Sequence, residues 1–300
     1  GDGTLHLLQI RPIATPGLGR SLPSEKIGHN LLKLKKKISK LSLPHPDLVG
    51  EGTVFGVMPD WNPAEILGAR PRALTLSLYK ELVTDSIWAY QRDNYGYRNL
   101  RSFPLVVNFF GFAYVDVRVS FNSFIPATLN NELAGRLVDY YLLRLCENPH
   151  YHDKVEFEVV PTCYAFNFES WREILAGGGF SNDEIDELRD GLRSITKNAI
   201  SRTPDDLKTV DIFRERFDSI FSSNLSPLDK ALSLLEDCRR YGTLVFAHLA
   251  RSAFVSVTLL KSALDTKVIS RAAMDSFLNS IETVAHEFIN DAKKVADNQK

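Results

Sequence analysis

The sequence predicts a predominantly helical α+β fold, with a small mixed or antiparallel sheet and a C-terminal helical bundle. Two patterns support this prediction. In the first half, short stretches such as residues 53–57 and 113–119 alternate apolar and polar side chains, as half-buried strands do. In the second half, apolar residues recur every three to four positions over long stretches such as 129–146 and 227–264, as in amphipathic helices.

The chain opens on a short apolar stretch that ends at a proline. Leu5, Leu7 and Leu8 predict a strand, and Pro12 stops its hydrogen-bonding ladder from continuing. A strand this short is not stable alone, so we expect it to close a sheet whose other strands lie elsewhere. An ordinary edge strand that ends at a proline explains the same residues.

Residues 14–50 are predicted to be a linker and a basic helix. Proline, glycine and serine break any periodicity over residues 14–23, and an amphipathic helix is expected over residues 24–41. The helix carries a local run of lysines, namely Lys33, Lys35, Lys36, Lys37 and Lys40. A solvated helix face explains this run, and the alternative is an electrostatic contact to phosphates or to another domain.

A helix start is expected shortly after the strand at residues 53–57. Asn62 fits the N-cap position, a proline follows it, and Glu65 stands at the third helical position. The cap explains Asn62 and Glu65 completely. It does not explain Asp60 or Trp61, which precede it.

A predicted hairpin brings further polar residues together. In its second strand, residues 113–119, alternation places Asp116, Arg118 and Ser120 on one face, which continues to Asn122. We therefore expect one polar surface along this strand.

The second half contains one more predicted strand and a buried polar pair. Valine and glutamate alternate at the start of residues 155–166, which predicts a strand, and Ser181 with Glu184 forms a capping box. His248 and Arg251 lie one turn apart in an otherwise apolar helix. Each must therefore be paired in the core or face a polar cavity.

Composition excludes several classes of protein. The chain has 300 residues, is 44% hydrophobic and 24% charged, and has a net charge of −1, so no global basic field is available for nucleic acid or an anionic membrane. No uninterrupted apolar run approaches the roughly 20 residues that span a bilayer. The three cysteines have no spacing typical of metal ligands, which favours free thiols in a reducing cytoplasm. We expect a cytoplasmic protein with no metal site and with neither a nucleic-acid nor a membrane partner.

Several motifs resemble one family of enzymes. Residues 5–12 (LHLLQIRP) resemble the closing strand of the ATP-grasp-like nucleotide domain in the PEP synthase and pyruvate phosphate dikinase family. Five further motifs resemble the capsule-locus subgroup of these PEP-utilising enzymes, which includes L-glutamine kinase: 60–68 (DWNPAEILG), 90–92 (YQR), 95–98 (YGYR), 116–123 (DVRVSFNS) and 242–251 (GTLVFAHLAR). The resemblance covers about residues 5–290, with the motifs in order.

The resemblance implies a three-module enzyme: an ATP-grasp domain, a middle substrate domain and a swivelling phosphohistidine domain. Neither the body of the ATP-grasp domain nor the phosphohistidine motif is found here, so these domains would be partners in cis. Residues 1–13 are then the terminal strand of the missing nucleotide domain, and residues 51–300 the middle acceptor-substrate domain. In the full-length enzyme, ATP and Mg²⁺ would phosphorylate a histidine, with AMP and phosphate as co-products. The phosphohistidine would then phosphorylate a small-molecule acceptor, and this portion would bind no cofactor.

The resemblance also implies site residues. Gln9 and Arg11 would face the nucleotide phosphates and metal. The candidate substrate-binding residues are Asp60, Asn62, Arg98, Arg101, Arg118, Asn122, Ser123, His248 and Arg251. The arginines match carboxylate and phosphate geometry, whereas Asp60 would bind an ammonium group or act as a base. Asn122 and Ser123 would hydrogen-bond an amide or a carboxylate.

These candidates carry a geometric expectation. Four of them come from separate segments and are expected to converge on one cavity: Asp60, Arg98, Arg118 and Asn122. Polar groups near an apolar core must be paired or must line a ligand site. Glutamine, another amino acid, a sugar acid or a small antibiotic-like molecule would fit such a cavity.

Two other classes of function stay open at this point. The chain can be a non-catalytic interaction or regulatory module derived from the same family. It can also be a helical nucleic-acid-binding protein that uses the lysines of residues 33–40, although the near-neutral net charge argues against this.

We expect this chain alone to release no AMP from ATP. The resemblance places the phosphohistidine and most of the nucleotide site outside it, so no phosphoryl carrier is available. The measurement is AMP formation after incubation with ATP, Mg²⁺ and L-glutamine, and a known dikinase in a parallel reaction controls the assay. Robust AMP formation would mean that the predicted domain boundaries are wrong.

Overall fold

The computed structural model describes residues 24–281, 287–288, 291–292 and 294–295. Over this part of the chain the fold is predominantly helical, with a three-stranded antiparallel sheet and a C-terminal helical region. The predicted fold class is therefore confirmed. Gln9 and Arg11, the predicted nucleotide contacts, lie outside the described residues.

The chain divides into two compact units after Leu43, inside the segment predicted as linker and basic helix. The described part of the first unit is mainly helix α1 (Ser24–Leu41), whose bounds match the prediction. Most of its lysines are exposed, as a solvated polar face requires. The second unit begins at Pro44 and contains the remaining elements.

The sheet of the second unit has the strand order β1–β3–β2, with β1 at Phe55–Gly56, β2 at Val106–Phe109 and β3 at Phe112–Asp116. A two-residue turn, Phe110 and Gly111, joins β2 to β3, and both residues have positive φ angles of 55° and 92°. This is the turn geometry that matches the twist of a hairpin, and glycine adopts it without strain.

Helices make up the rest of the second unit. Their bounds are α2 Pro63–Ile66, α3 Ala73–Tyr79, α4 Ile87–Tyr95, α5 Val117–Asn122, α6 Asn131–Glu147, α7 Phe168–Gly177, α8 Asn182–Ser222, α9 Pro227–Asp237, α10 Leu244–Asp265 and α11 Arg271–Ser280. Short π-helical turns follow α3 (Lys80–Thr84), precede α7 (Val155–Val159) and join α9 to α10 (Cys238–Thr243). The predicted capping box at Ser181 is present at the start of α8, with both of its hydrogen bonds formed.

Two apolar clusters hold the second unit together. One lies between the sheet and the α3–α4 region and includes Leu76, Trp88 and Val115. The other is larger and joins α5, α6 and the first half of α8, with Leu137 and Leu192 fully buried. Helix α4 contributes to both, which places its polar side chains at their junction.

The predicted strand at residues 113–119 ends earlier than expected. Strand β3 stops at Asp116, and the following residues form α5. The Oδ1 atom of Asp116 accepts a hydrogen bond from the backbone N–H of Val119 at 3.2 Å, so Asp116 is the N-cap of a helix. Arg118 and Ser120 consequently point in different directions. The prediction of one polar strand face is therefore wrong.

The strand predicted at residues 155–166 is also corrected. Its first part is the π-helical turn Val155–Val159, in which Val155 and Val159 are both buried. The alternation of valine and glutamate is compatible with this turn as well as with a strand. In the turn the two valines pack inward together, and Glu156 projects in another direction. Sequence periodicity does not distinguish the two over so short a stretch.

A long apolar helical stretch runs through α9 and α10. It spans Pro227–Asp265 and, by length and composition alone, is able to cross a membrane. Charged residues such as Lys230, Glu236, Arg240 and Arg251 interrupt this stretch, so it contains no uninterrupted apolar run of that length, although its most apolar window has a mean hydropathy of 1.6. In the structure 28% of its most apolar window is buried, and α10 packs against α8. Burial in the protein therefore accounts for part of its apolar composition.

Gly191→Ala should destabilise the protein although alanine ordinarily favours a helix interior. An added Cβ would lie 2.7 Å from Cβ of Pro126, whose ring cannot move aside independently of the backbone. Overpacking of this kind lowers the free energy of unfolding by about 1–3 kcal/mol, which urea denaturation measures. Gly177→Ala is the control because nothing lies within 4 Å of its added Cβ. Equal stability of the two variants would contradict the close packing of α8 on Pro126.

Candidate functional site

A cavity of about 390 Å³ opens in the second unit between the loop after β1, helix α4, the π-helical turn Val155–Val159 and helix α10. Its inner wall, the charged floor, consists of Asp60, Gln91, Arg92, Glu156 and Arg251. Its outer part, the apolar rim, consists of Trp61, Ile66, Phe157, Phe246 and Phe254. The charged floor is largely buried, whereas Phe246 on the apolar rim is 63% exposed.

The first ion pair of the charged floor joins Asp60 to Arg92. Nη2 of Arg92 donates to Oδ1 of Asp60 at 2.9 Å, and the Ser120 hydroxyl donates to Oδ2 at 2.8 Å. The side chains of Asp60 and Arg92 are 3% and 2% exposed. Burial raises the pKa of Asp60 above its ordinary value, although the positive charge of Arg92 opposes this. Both carboxylate oxygens of Asp60 are therefore engaged inside the protein.

The second ion pair joins Glu156 to Arg251. Nη1 and Nη2 of Arg251 donate to the two carboxylate oxygens of Glu156, the second bond at 3.2 Å, in a bidentate arrangement. Burial opposes the ionisation of Glu156, but the positive charges of Arg251 and Arg92 outweigh it and hold the pKa of Glu156 below its ordinary value. Glu156 is thus a carboxylate at neutral pH.

One phenyl ring supports both arginines. The guanidinium carbon of Arg92 lies 4.0 Å from the centroid of the Phe124 ring, and that of Arg251 lies 5.2 Å from it. Stacking on the ring face leaves the in-plane N–H groups free to donate sideways. Phe124 therefore orients the donors of both side chains.

The loop that carries Asp60 is strained. Asp60 and Trp61 have positive φ angles of 59° and 39°, which side-chain-bearing residues rarely adopt. The Tyr79 hydroxyl donates to the carbonyl of Trp61, and Asn62 caps α2 by accepting from the N–H of Glu65 at 3.1 Å. Such strain persists only where the surroundings enforce it, and it is typical of ligand sites.

The structure brings only part of the predicted site together. Asp60, Asn62 and Arg251 line the cavity. Arg118 does not, since its Nη1 donates to the carbonyl of Gly50 at 3.3 Å. Asn122 lies one turn further along α5. Its amide pairs with both backbone groups of Val49, accepting from the N–H at 3.0 Å and donating to the carbonyl at 2.8 Å.

The remaining predicted residues also lie elsewhere. The buried Ser123 hydroxyl donates to the carbonyl of Ser120 at 2.6 Å. Arg98 donates to Asn131 at 2.9 Å in a separate shallow cleft, and Arg101 forms an ion pair with Asp93 at 3.1 Å. The expected convergence of Asp60, Arg98, Arg118 and Asn122 is therefore corrected. Part of its basis was a strand face that is in fact helix α5, on which Arg118 and Asn122 face residues 49–50 whereas Ser120 faces Asp60.

His248 is buried but faces α8 instead of the cavity. Its Nδ1 lies 3.0 Å from Oδ1 of Asp206, and Asn94 Nδ2 lies 3.2 Å from its Nε2. Burial lowers the pKa of His248 to about 4, with the nearby Arg202 acting in the same direction and Asp206 against it. His248 is therefore a neutral member of a helix-packing network at neutral pH.

Three residues of the charged floor were not predicted as site residues: Gln91, Arg92 and Glu156. Gln91 and Arg92 belong to a motif that supports the family resemblance, but neither is singled out beyond that motif. Glu156 was hidden by the incorrect strand prediction. A usable signal was the placement of a glutamine and an arginine directly after the apolar run Ile87–Tyr90, since buried polar groups need partners.

The charged floor does not fit a magnesium ion. Mg²⁺ prefers carboxylate oxygens with several waters, but the oxygens of Asp60 and Glu156 already accept hydrogen bonds from Arg92, Ser120 and Arg251. Among the described residues, no group of three or more His, Cys, Asp or Glu side chains is placed to hold a metal ion. What the arrangement offers is charged hydrogen-bonding groups at the base of an apolar opening.

The pH dependence of stability should reveal the neutral state of His248. Between pH 6.5, the ordinary pKa, and about 4, the unfolded chain binds a proton at this residue that the folded chain does not. The free energy of unfolding should therefore fall as the pH drops through this window. Urea denaturation of His248→Gln should show a flatter dependence, whereas the exposed His150→Gln should follow the unmodified protein. Parallel curves for all three would contradict the assignment.

The cavity thus combines two buried ion pairs, a strained loop and an exposed aromatic opening, which together are typical of a small-molecule site. No known protein-family model, curated protein or solved structure matches this chain.

Proposed function

We propose that this chain is the acceptor-binding part of an ATP-dependent phosphotransferase that works through a phosphohistidine. The cavity holds the acceptor, a small amino-acid-like or carboxylate-bearing molecule such as L-glutamine. The observation that carries the proposal is the charged floor, where two acidic and two basic side chains are paired at the base of an open cavity. The family resemblance of the motifs supplies the reaction class.

The energetics of the charged floor support a ligand site. Removing a charge from water costs several kcal/mol even in a relaxed protein, and pairing repays this cost only partly. Well-packed apolar residues of similar volume often make a protein as stable as a buried ion pair does, or more stable. The stability of the fold alone therefore does not account for the buried charges of Arg92 and Arg251. The cavity volume of about 390 Å³ lies within the range of small-molecule sites.

In phosphoryl transfer, the main tasks of an acceptor site are to position the acceptor and to compensate the negative charge of the transferred group. Arg92 and Arg251 lie near the base of the cavity, fixed by Phe124 and by their carboxylate partners. An acceptor seated against them would be held in one orientation, and the apolar rim would exclude water around it. ATP and Mg²⁺ would bind to the nucleotide domain. The residues of this chain that are predicted to contact them, Gln9 and Arg11, lie outside the described residues. No step at the cavity is assigned to a metal ion.

One observation favours a second candidate function. Phe246 and Ile66 on the apolar rim are 63% and 55% exposed, which is typical of a protein-docking surface. The alternative is therefore a non-catalytic interaction or regulatory module derived from the same family. Such a module would not bind a small acceptor in the cavity.

Filling the cavity should abolish acceptor binding. Ala250 lines the cavity on α10, so Ala250→Trp would occupy the space that the acceptor needs. Isothermal titration with a panel of amino acids and small carboxylic acids, L-glutamine first, should give at least one ligand that Ala250→Trp no longer binds. Ala253→Trp is the matched control because Ala253 lies on the same helix, is exposed and does not line the cavity.

The transfer step is assayed with the full-length gene product, as acceptor-dependent AMP formation that Ala250→Trp removes. A ligand that binds both tryptophan variants equally, or AMP formation that Ala250→Trp leaves intact, would contradict the proposal. Absence of any ligand from the panel together with capture of a protein partner would favour the interaction module.

A further inference from the structure

The charged floor has an excess of hydrogen-bond donors. Among the described residues, four buried N–H-bearing atoms that belong to it have no hydrogen-bond partner: Nε2 of Gln91, Nε and Nη1 of Arg92, and Nε of Arg251. As whole residues, these three are 2%, 1% and 4% exposed, and all three line the cavity. A buried donor without an acceptor costs about 1–3 kcal/mol, so such atoms require an explanation.

Each carboxylate oxygen of the charged floor, in contrast, already accepts a hydrogen bond. Asp60 accepts from Arg92 through one oxygen and from Ser120 through the other. Both oxygens of Glu156 accept from Arg251. The unpartnered buried atoms of the charged floor are therefore donors, and a ligand that brings acceptor oxygens would satisfy them.

We infer that Gln91 and Arg92 form an oxyanion subsite, which binds a carboxylate or a phosphoryl group of the ligand. The inference names the ligand class of the same cavity and so rests on the proposed function. Arg92 supplies the charge and two in-plane donors, and Gln91 supplies a neutral amide donor from the adjacent position of α4. Arg251 adds one more donor, while its other two donor nitrogens stay on Glu156.

The geometry prepares Arg92 for this role. Its guanidinium face lies on Phe124 and its Nη2 is held by Asp60, so little conformational freedom is left to lose when an anion binds. Burial and the neighbouring positive charge of Arg251 lower the pKa of Arg92. The negative charge of an oxyanion bound between the two guanidinium groups would oppose this lowering and favour the charged form of Arg92.

The subsite also changes the role expected for Asp60. A free carboxylate would bind the ammonium group of an amino acid, but Arg92 and Ser120 already donate to the two oxygens of Asp60. The ligand is therefore recognised here by its negative end. The function of Asp60 is to hold Arg92 and, through Ser120, to connect the charged floor to α5.

The first arm of the test uses the unmodified protein and asks which oxyanion binds. Isothermal titration compares L-glutamine with L-glutaminol, in which a hydroxymethyl group replaces the carboxylate, and then with inorganic phosphate. Phosphate that competes with L-glutamine, or a loss of about tenfold or more in affinity for L-glutaminol, supports the subsite. Dependence on the carboxylate alone identifies the acceptor's own acid group as the ligand, and binding of phosphate alone identifies a phosphoryl group.

The second arm locates the subsite with Gln91→Leu and Arg92→Lys. Each removes donors while leaving a side chain of similar length, and Arg92→Lys keeps a positive charge beside Asp60, so the fold is retained. We expect each to weaken oxyanion binding by about tenfold to a hundredfold, the loss of one or two hydrogen bonds to a charged group. Arg98→Lys is the matched control, since Arg98 lies in a separate cleft, and it should leave the affinity unchanged. Circular dichroism and thermal unfolding check that every variant is folded.

The outcomes separate this inference from the proposed function. A ligand that Ala250→Trp excludes but that binds Gln91→Leu, Arg92→Lys and the unmodified protein equally would overturn the subsite and keep the acceptor cavity. Phosphate binding that needs Gln91 and Arg92, without any acceptor, would keep the subsite and overturn the proposed function. No binding of phosphate or of any carboxylate up to about 10 mM, tenfold above a Kd of about 1 mM, would overturn the subsite.

Discussion

The need to pair buried charges governs the second unit of this protein. Arg92 and Arg251 lie inside the fold, where an unpaired charge is prohibitively unfavourable, so each requires a carboxylate at hydrogen-bonding distance. Arg251 and its partner Glu156 are 95 positions apart in the chain. The pairing therefore ties together segments that local structure alone would leave independent, and the cavity is the space that they enclose.

Helix α5 connects this constraint to the rest of the unit. Its polar residues and its N-cap bind three partners: Asp116 caps the helix, Ser120 donates to Asp60, and Arg118 and Asn122 both bind the backbone of residues 49–50. The strained conformation of Asp60 is stable because these contacts, together with Tyr79, oppose its relaxation. The same contacts keep Arg92 in one position, which is the property that a binding site needs.

The charged floor and the apolar rim recognise different parts of a ligand. Paired carboxylates fix the arginines without using all their donors, so the charged floor selects ligands by their oxygen atoms. The exposed aromatic side chains of the apolar rim provide area without directional demands, and Trp61 and Phe246 lie with ring centroids 6.2 Å apart across it. A small anionic molecule with an apolar or neutral body satisfies both parts.

Local sequence determined the fold class, the bounds of α1, the hairpin turn and the capping box at Ser181, because each depends on neighbouring residues or on periodicity. It also indicated that Asp60 and Arg251 required an explanation beyond local structure. Tertiary structure alone decided which charges meet. Arg92 and Glu156 join the charged floor, while Arg118 and His248 leave it, because a buried side chain takes its partner from whichever segment packs against it, and no periodicity encodes that choice.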